Sequence, residues 1–221
     1  VSNAINATHI MIEKSSKINK IDNYSHETAN DLKEFIETND ELSKILLSNL
    51  QKVKELVQSF KSTAVNNNQE TTGVIKIKQF LRDLYKSISP TIKDKNIKFE
   101  IDHNSEFMVK TKPNSLFQIF TNLIMNSYIH GFENKKTGII RIDFKKNEKN
   151  IEFRYKDDGV GIAPEISARI FEPFFSTKKS TCTGIGLQIV YNTVVNKLRG
   201  QIDFESKKGK GTLFMISIPL D

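Results

Sequence analysis

The chain has 221 residues, 38% of them hydrophobic and 27% charged, with only 10 Gly and 5 Pro. This excludes a low-complexity chain and suits one ordinary domain with a smaller one. No apolar run approaches the roughly 18 residues that a membrane helix needs, and nothing at the start is typical of a signal peptide. The formal net charge is +7. Residues 1–72 hold 8 Lys and 10 Asp or Glu and so carry −2, which leaves +9 for residues 73–221.

The basic residues of the second part are scattered over strands and turns, without a Lys/Arg-rich helix. We therefore expect no nucleic-acid partner, and a phosphate-bearing small ligand explains the excess equally well. The single cysteine, Cys182, excludes an intrachain disulfide and favours a reducing, cytoplasmic setting. Because the chain opens at Val1 without a methionine, we expect a fragment, and its parent protein is compatible with a membrane anchor.

Residues 1–66 are predicted to form a helical hairpin. Between Asp40 and Phe60 the apolar residues follow steps of three and four, which predicts a one-sided helix with Asp40 as its cap. The stripe consists of Leu42, Leu46, Leu50, Val53, Leu56, Val57 and Phe60. A weaker stripe near the start predicts a first helix, and the polar residues 22–39 would connect the two.

One hairpin cannot bury both of its apolar faces. We therefore expect residues 1–66 to pair with a second copy in a dimeric four-helix bundle. The alternative is that both helices pack on the second domain. The polar stretch STAVNNNQETTG, Ser62 to Gly73, marks the boundary, and we place a linker at residues 67–73.

Residues 74–221 are predicted to form a second domain of mixed secondary structure. The segments IKFEI, IIRIDF, IEFRY, QIDFES and TLFMISI alternate apolar and polar residues, as half-buried strands do. Three stretches between them have helical periodicity: Ile77 to Ser89, Pro113 to Phe132, and Gly184 to Leu198. The pattern predicts an α/β sandwich, and the whole chain is therefore expected to be α+β.

The helix after Pro113 carries an unusual polar stripe. Gln118, Asn122, Asn126 and His130 recur every fourth residue, so they share one face. Amide and imidazole groups are costly to bury without partners, which indicates a polar cavity. An amide oxygen is also a suitable ligand for Mg²⁺. The alternative is a partly exposed Asn/Gln face without a ligand.

Two glycine-containing segments follow. DDGVGI places Asp157 at a strand end, where its carboxylate can accept a hydrogen bond from an exocyclic amine, although D-x-G-x-G alone is also an ordinary turn. IFEPFFSTKKSTCTGIGLQIV, residues 170–190, combines a Phe-rich hinge, two lysines, and glycines that open a helix. Free N–H groups at a helix start bind anions, and the lysines add charge. The alternative is a surface loop before an ordinary helix.

Together these segments resemble the sensor histidine kinases. QIFTNLIMNSYIHGF, DDGVGI, FEPFF and TGIGLQIV are similar, in order and spacing, to the N, G1, F and G2 boxes of that family. ESKKGKGTLFMISIP resembles its closing strands, so the resemblance covers Gly73 to Asp221. The stretch LSNLQKVKELVQSFK resembles, less specifically, the second helix of the dimerisation and phosphotransfer region.

The resemblance implies a Bergerat-type ATP-binding fold with a mixed, mainly antiparallel sheet, and a site for ATP and Mg²⁺. It matches Asn126 to the Mg²⁺-binding asparagine and Asp157 to the adenine-recognising aspartate. The further residues that it implies at the ATP site are Asn122, His130, Gly159, Gly161, Phe171, Lys178, Thr183, Gly184, Ile185, Gly186, Leu187 and Thr212. Phe174 and Phe175 would anchor a lid with Phe171. Cys182 departs from the pattern, because many members have a glycine there.

The resemblance also separates kinase from hydrolase chemistry. Related Bergerat-fold ATPases such as DNA gyrase carry a glutamate one helical turn before the Mg²⁺-binding asparagine, where it activates water. This chain has Asn122 there, and an amide cannot take a proton at neutral pH. We therefore expect phosphoryl transfer to a histidine and relay to a response-regulator aspartate. The alternatives are an ATP-hydrolysing member and a non-catalytic, nucleotide-responsive dimerisation module.

The acceptor histidine is the remaining question. His26 is followed by Glu27, as in the family, but Asp31 stands where the family usually has proline. The neighbours Asn23 and Asn30 favour turns over a helix interior. We therefore interpret YSHETANDL as the loop of the hairpin, and expect the acceptor to lie upstream of Val1. This chain is then expected to bind ATP without phosphorylating itself.

Overall fold

A computed structural model of the chain describes residues 10, 13, 32, 34–46, 50, 72–101, 106–177 and 183–220. The chain divides into an N-terminal unit and a larger C-terminal unit. Within the described residues, the model contains no helix whose length and apolar character would let it cross a membrane. The histidine His26, the lysine Lys178 and Cys182 lie outside the described residues, as does most of the predicted linker.

In the N-terminal unit, residues 34–46 are continuously helical. The predicted start of this helix at Asp40 is therefore wrong, because residues 34–39 do not belong to a loop. Leu32, the last residue of the predicted loop YSHETANDL, is helical as well. Asp40 instead lies inside the helix, where it pairs with Lys44 one turn later at 2.5 Å. The Thr38 hydroxyl donates to the Glu34 carbonyl at 2.7 Å, a bond that Thr makes within a helix. The predicted four-helix bundle stays a prediction.

The C-terminal unit contains seven strands and four α-helices within the described residues. The strands are β1 (Gly73–Lys76), β2 (Asn96–Ile101), β3 (Met108–Thr111), β4 (Thr137–Lys146), β5 (Asn150–Asp157), β6 (Gln201–Ser206) and β7 (Thr212–Pro219). The α-helices are α1 (Ile77–Ile88), α2 (Pro113–Asn126), α3 (Pro164–Ser167) and α4 (Gly186–Asn192). A 3₁₀ turn covers Ser89–Ile92, and π-helical turns cover Ser127–Gly131 and Thr193–Lys197.

The main sheet has five strands in the order β2-β4-β5-β7-β6. Strand β2 is parallel to β4, whereas the other neighbours are antiparallel. This confirms the predicted α+β class with a mixed, mainly antiparallel sheet. Strands β1 and β3 form a separate antiparallel pair that the sequence analysis did not predict. Each has only four residues, too few for alternation to be informative.

One face of the main sheet is buried against the helices. Alternate residues of β4 and β5 are buried, as in a strand with one solvated face. Phe120 of α2 meets Phe153 of β5 edge-on, with ring centroids 5.1 Å apart. Both rings are at most 1% exposed, and burying such a side chain stabilises the fold by about 1.5–3 kcal/mol. The core thereby fixes α2, the helix of the polar stripe, to the sheet.

Both helices that carry predicted site residues end in a π-helical turn. The predicted helix from Pro113 to Phe132 is α-helical only as far as Asn126 and widens over Ser127–Gly131. The predicted helix from Gly184 to Leu198 begins at Gly186 and widens over Thr193–Lys197. Single π-helical turns are uncommon and occur often at functional sites.

Candidate functional site

A buried carboxylate, that of Asp157, lies at the end of β5. The side chain is 4% exposed. Its Oδ1 accepts the backbone N–H groups of Gly159 at 2.9 Å and Thr212 at 3.2 Å. Its Oδ2 accepts the hydroxyl of Ser127 at 2.7 Å. A carboxylate offers about four acceptor positions, so one on Oδ2 is left for a ligand among the described residues.

Burial is the main influence on the charge of Asp157. It raises the pKa of this carboxyl above its ordinary value, and the hydrogen bonds from Ser127, Gly159 and Thr212 act in the opposite direction. The Asp157 carboxylate is therefore a hydrogen-bond acceptor in a region of low dielectric constant, where a hydrogen bond to it is strong. The predicted recognition of an amine by this carboxylate stays a prediction.

Behind Asp157 lies a hydroxyl that the sequence analysis missed. The Tyr155 hydroxyl donates to the Ser127 oxygen at 2.9 Å, and Ser127 donates in turn to Asp157. Tyr155 is fully buried, and Ser127 is 4% exposed. The available signal was the tyrosine at an inward-facing position of the strand, because a buried Tyr hydroxyl requires a partner.

The loop after Asp157 is held close to the end of the π-helical turn. A Cβ on Gly159 would lie 2.7 Å from the backbone of Gly131 and 2.8 Å from Oδ1 of Asp157, so only glycine fits. The Val160 N–H donates to the Gly131 carbonyl at 2.9 Å. The predicted Gly159 thus lies directly against both the carboxylate and the turn after α2, whereas Gly161, with a φ of 71°, lies against the backbone of Lys207 and Gly211.

The amides of α2 face the start of α4. Oδ1 atoms of Asn122 and Asn126 each lie 3.3 Å from the position that a Cβ on Gly186 would occupy. The Asn122 Nδ2 donates to the Gln118 carbonyl at 2.8 Å, which leaves its Oδ1 toward α4. Within the part of the chain that the structure describes, the Asn126 Nδ2 is buried without a hydrogen-bond partner. An orphaned buried amide beside an open glycine is the arrangement expected where a polar ligand binds.

These groups fit the hard-cation and phosphate chemistry that the sequence analysis predicted. Amide oxygens are suitable ligands for Mg²⁺, which retains waters and bridges phosphates. Two amide oxygens and an open helix start converge here. The structure therefore brings together Asn122, Asn126 and Gly186, and a hydrogen bond links Asp157 to Ser127, the residue after Asn126.

His130 lies within the π-helical turn Ser127–Gly131, where the four-residue repeat of the α-helix no longer applies. Its Nδ1 lies 3.5 Å from the Thr177 hydroxyl oxygen. Thr177 is the last described residue before 178–182, so the predicted role of Lys178 stays a prediction. The structure places His130 beside this segment, one turn beyond Asn126.

The predicted lid phenylalanines differ from one another. Phe171 packs between Tyr191 and Phe204, with ring centroids at 5.4 and 5.8 Å. Phe175 lies under the guanidinium of Arg169 at 4.6 Å. Phe174 is 59% exposed and has a φ of 64°, a strained conformation for an aromatic residue. Phe171 is thus an anchor, whereas Phe174 projects into solvent.

The segment that leads into α4 is fixed by its backbone. Gly184 has a φ of 70°, and a Cβ there would lie 2.5 Å from the Phe174 carbonyl carbon. Ile185 is 2% exposed, and Leu187 packs against the core. Thr183, half-buried, is the first described residue after the gap.

Thr212 opens β7 directly opposite Asp157. Besides the backbone bond to the carboxylate, its hydroxyl lies 2.9 Å from that of Ser206. The antiparallel register therefore brings the predicted threonine to the carboxylate, although the two are far apart in sequence.

Residues 111–221 match the protein family described as "Histidine kinase-, DNA gyrase B-, and HSP90-like ATPase". Among curated proteins, the chain is 25% identical over 181 residues to "Sensor protein DegM" of Bacillus sp. (strain B21-2). That alignment covers 82% of this chain and 46% of DegM. The chain therefore spans less than half the length of this relative.

Solved structures share the fold. The catalytic domain of histidine kinase ThkA aligns with a TM-score of 0.57 at 25% identity, over 68% of this chain and 98% of that domain. The structure of ThkA in complex with the response regulator protein TrrA aligns with a TM-score of 0.60 at 20% identity, over 99% of this chain and 59% of that one. At this identity the second likeness concerns the fold alone.

Proposed function

Because the chain belongs to the histidine kinase-, DNA gyrase B- and HSP90-like ATPase family, we propose that it is the ATP-binding and dimerisation portion of a two-component sensor histidine kinase. The observation that carries the proposal is the convergence of the Asn122 and Asn126 amides on the start of α4 at Gly186. Asp157, which accepts a hydrogen bond from Ser127 directly after Asn126, keeps one acceptor position for an amine.

ATP would bind with its adenine amine at Asp157 and its phosphates beside Gly184 and Gly186. Asn126 would hold Mg²⁺, which supplies neutralisation of the charge on the phosphate oxygens. The missing side chain of Gly186 leaves space beside the amides open, whereas glycine at 184 allows the backbone of Phe174 to approach closely. Lys178, which directly follows Thr177 in the chain, would add positive charge.

The reaction proposed is phosphoryl transfer to a histidine nitrogen. The nitrogen–phosphorus bond forms as the bond between the γ-phosphorus and the β–γ bridging oxygen breaks, and ADP leaves. A neutral imidazole nitrogen already has a free electron pair, so this step does not need a base beside the nucleotide. Positioning and charge neutralisation then supply most of the catalysis.

Asn122 favours a kinase over a hydrolase. Its amide N–H already donates to the Gln118 carbonyl at 2.8 Å, and an amide oxygen does not take up a proton at neutral pH. A water molecule near the γ-phosphate would therefore find no base at this position. The site is suited to bind ATP and poorly suited to activate water.

Dimerisation is proposed through the N-terminal unit. Leu32, Ile36 and Leu50 are 43%, 59% and 57% exposed in the single chain. On an α-helix these three positions fall on one side, which a second copy would cover. The proposed phosphorelay partner is a receiver domain, supported by the similarity of fold to ThkA, which was solved with a response regulator.

Two measurements test the proposed function. Titration with ATP, with and without Mg²⁺, is expected to show Mg²⁺-dependent binding, and a phosphate-release assay is expected to show little turnover. Rapid steady hydrolysis would overturn the kinase assignment in favour of a hydrolase. Absence of ATP binding would overturn both.

The acceptor is tested separately. Incubation with γ-labelled ATP is expected to leave this chain unlabelled, because His26 lacks the proline that follows a phosphotransfer histidine and has neighbours of a type that favours turns. The variant His26→Ala is the matched control. Label that appears on the chain and vanishes in the variant would identify His26 as the acceptor.

A further inference from the structure

The Asp157 carboxylate is oriented by two hydroxyl groups in series. Ser127 Oγ lies 2.7 Å from Asp157 Oδ2, and Tyr155 Oη lies 2.9 Å from Ser127 Oγ. All three residues are buried, at 4% exposure or less. In such surroundings each hydrogen bond fixes the direction of the next.

The number of protons on each group determines which residue donates in each of these two hydrogen bonds. A carboxylate accepts only, so Ser127 must donate its one proton to Asp157. Ser127 then has no proton for Tyr155, and the Tyr155 hydroxyl must be the donor between them. Burial, followed by the charge of Asp157, raises the pKa of Tyr155 well above its ordinary value, so this hydroxyl keeps its proton.

These hydrogen bonds also determine how many further hydrogen bonds Asp157 can accept from a ligand. Oδ1 already accepts two backbone N–H groups, from Gly159 and Thr212. On Oδ2, one acceptor position holds Ser127, and the remaining one is open to a single donor. If Ser127 were free to rotate, its hydroxyl could also donate to a ligand carbonyl, and the site would no longer distinguish a carbonyl from an amine at this position.

We infer that Tyr155 is a positioning residue for base selectivity, which acts through Ser127 to hold the last acceptor position of Asp157 for a ligand amine, here the exocyclic amine of adenine. This rests on the proposed function, because it presumes that ATP binds with its base at Asp157. Tyr155 itself does not touch the ligand.

The test compares ATP with purine riboside triphosphate, which lacks the exocyclic amine. Dissociation constants are measured by calorimetry for the wild type, Tyr155→Phe, Ser127→Ala and the double variant. Tyr155→Phe is expected to reduce the preference for ATP by about two- to tenfold while affinity for the amine-free analogue stays unchanged. Ser127→Ala is expected to reduce it at least as much, and the double variant is expected to equal Ser127→Ala alone.

Tyr85→Phe is the matched control. The Tyr85 hydroxyl is also hydrogen-bonded, to the Ile97 carbonyl at 2.9 Å, but on α1 away from Asp157. This variant is expected to bind both nucleotides as the wild type does. Urea unfolding of every variant accompanies the titrations, and if Ser127→Ala does not fold, the ratio of the two affinities in Tyr155→Phe decides alone.

The outcomes are distinct. Three results would overturn the role of Tyr155 without affecting the proposed ATP binding. They are an unchanged preference for ATP in Tyr155→Phe, an equal loss of affinity for both nucleotides, and additive effects of the Tyr155 and Ser127 substitutions. A wild-type chain that binds neither nucleotide would overturn the proposed function itself.

Discussion

The side chain of Asn126 and the first residue of α4, Gly186, are in contact distance across the candidate phosphate end of the site. Oδ1 and Nδ2 of Asn126 lie 3.3 and 3.4 Å from the place that a Cβ on Gly186 would occupy. Both atoms therefore face space that only glycine leaves open. Nδ2 is buried and has no hydrogen-bond partner among the described residues, so a polar ligand in this space would satisfy it.

Gly186→Ala is expected to close that space. The added methyl group would stand within 3.3–3.4 Å of both amides, a tight but tolerable contact. Alanine is also preferred over glycine in helices by up to about 1 kcal/mol, so stability should be unchanged or slightly higher. Affinity for ATP with Mg²⁺ should fall about tenfold or more, because the phosphate and cation positions are displaced.

The control for this substitution is Gly73→Ala. At Gly73 a Cβ would meet only Pro113, at 3.5 Å or more. ATP titration and urea unfolding of both variants separate a site effect from a general effect of adding a methyl group. Equal ATP affinity in Gly186→Ala and the wild type would show that the start of α4 does not adjoin the bound nucleotide.

Asn126→Ala tests the proposed cation ligand. Its Nδ2 makes no hydrogen bond to any described residue, so removal of the side chain should change the free energy of unfolding by less than about 1 kcal/mol. ATP binding should lose its Mg²⁺ dependence, whereas binding without Mg²⁺ should change little. Titrations across Mg²⁺ concentrations measure this. An undiminished Mg²⁺ effect in the variant would assign the cation to other groups.

The sequence predicted the site residues that lie on repeating or punctuated patterns. Asn122 and Asn126 follow from helical spacing, Asp157 from its place after an alternating strand, and Gly186 from the glycines before a helix. Ser127 and Tyr155 did not emerge, because their contact joins two segments 28 residues apart and depends on how α2 lies on the sheet. No local pattern encodes that distance.

For the fold as well, local patterns predicted the elements but not their long-range arrangement. Alternation predicted five strands, but the parallel pairing of β2 with β4 is a long-range choice that periodicity does not contain. The π-helical turn Ser127–Gly131 was missed because its composition is that of an ordinary helix end. Asp40 was predicted as a cap, and the structure shows that the same residue serves equally well as an i,i+4 partner inside a helix.

Asp157→Asn tests the charge of the buried carboxyl. Because burial raises the pKa of Asp157 in the folded chain, the folded state holds its proton more tightly than the unfolded state does. This group therefore contributes stability at low pH that is lost as the pH rises through the raised pKa. Asparagine does not titrate, so the stability of the variant relative to the wild type should be greatest at neutral pH and decline toward acid.

Urea unfolding of the wild type and Asp157→Asn at several pH values between neutral and about pH 4 checks this, since other groups cancel in the difference. The same variant should bind ATP about tenfold or more weakly at neutral pH, because an amine–carboxylate bond becomes a neutral one. A stability difference that is independent of pH would mean that Asp157 titrates as an exposed carboxyl does.

Lys95 holds the far end of the helix that carries the site. Its ammonium donates to the carbonyls of Phe132 at 2.6 Å and Tyr128 at 3.0 Å, and lies 4.7 Å from the Tyr128 ring centroid. The π-helical turn that it caps includes Gly131, which contacts the loop after Asp157. A cation at the end of a helix also interacts favourably with its carbonyl groups.

Lys95→Met is therefore expected to lower the free energy of unfolding by about 1–2 kcal/mol, because methionine keeps the apolar stem and leaves two carbonyls without their donor. Lys93→Met, an exposed lysine on the same connection, is the matched control and should change it by less than about 0.5 kcal/mol. Urea unfolding measures both. If the two variants lost the same stability, the carbonyls of the turn would be satisfied by water, and Lys95 would be an ordinary surface lysine. If Lys95→Met alone is destabilised, its affinity for ATP should also fall, since Gly131 and the Asp157 loop share the turn that Lys95 caps.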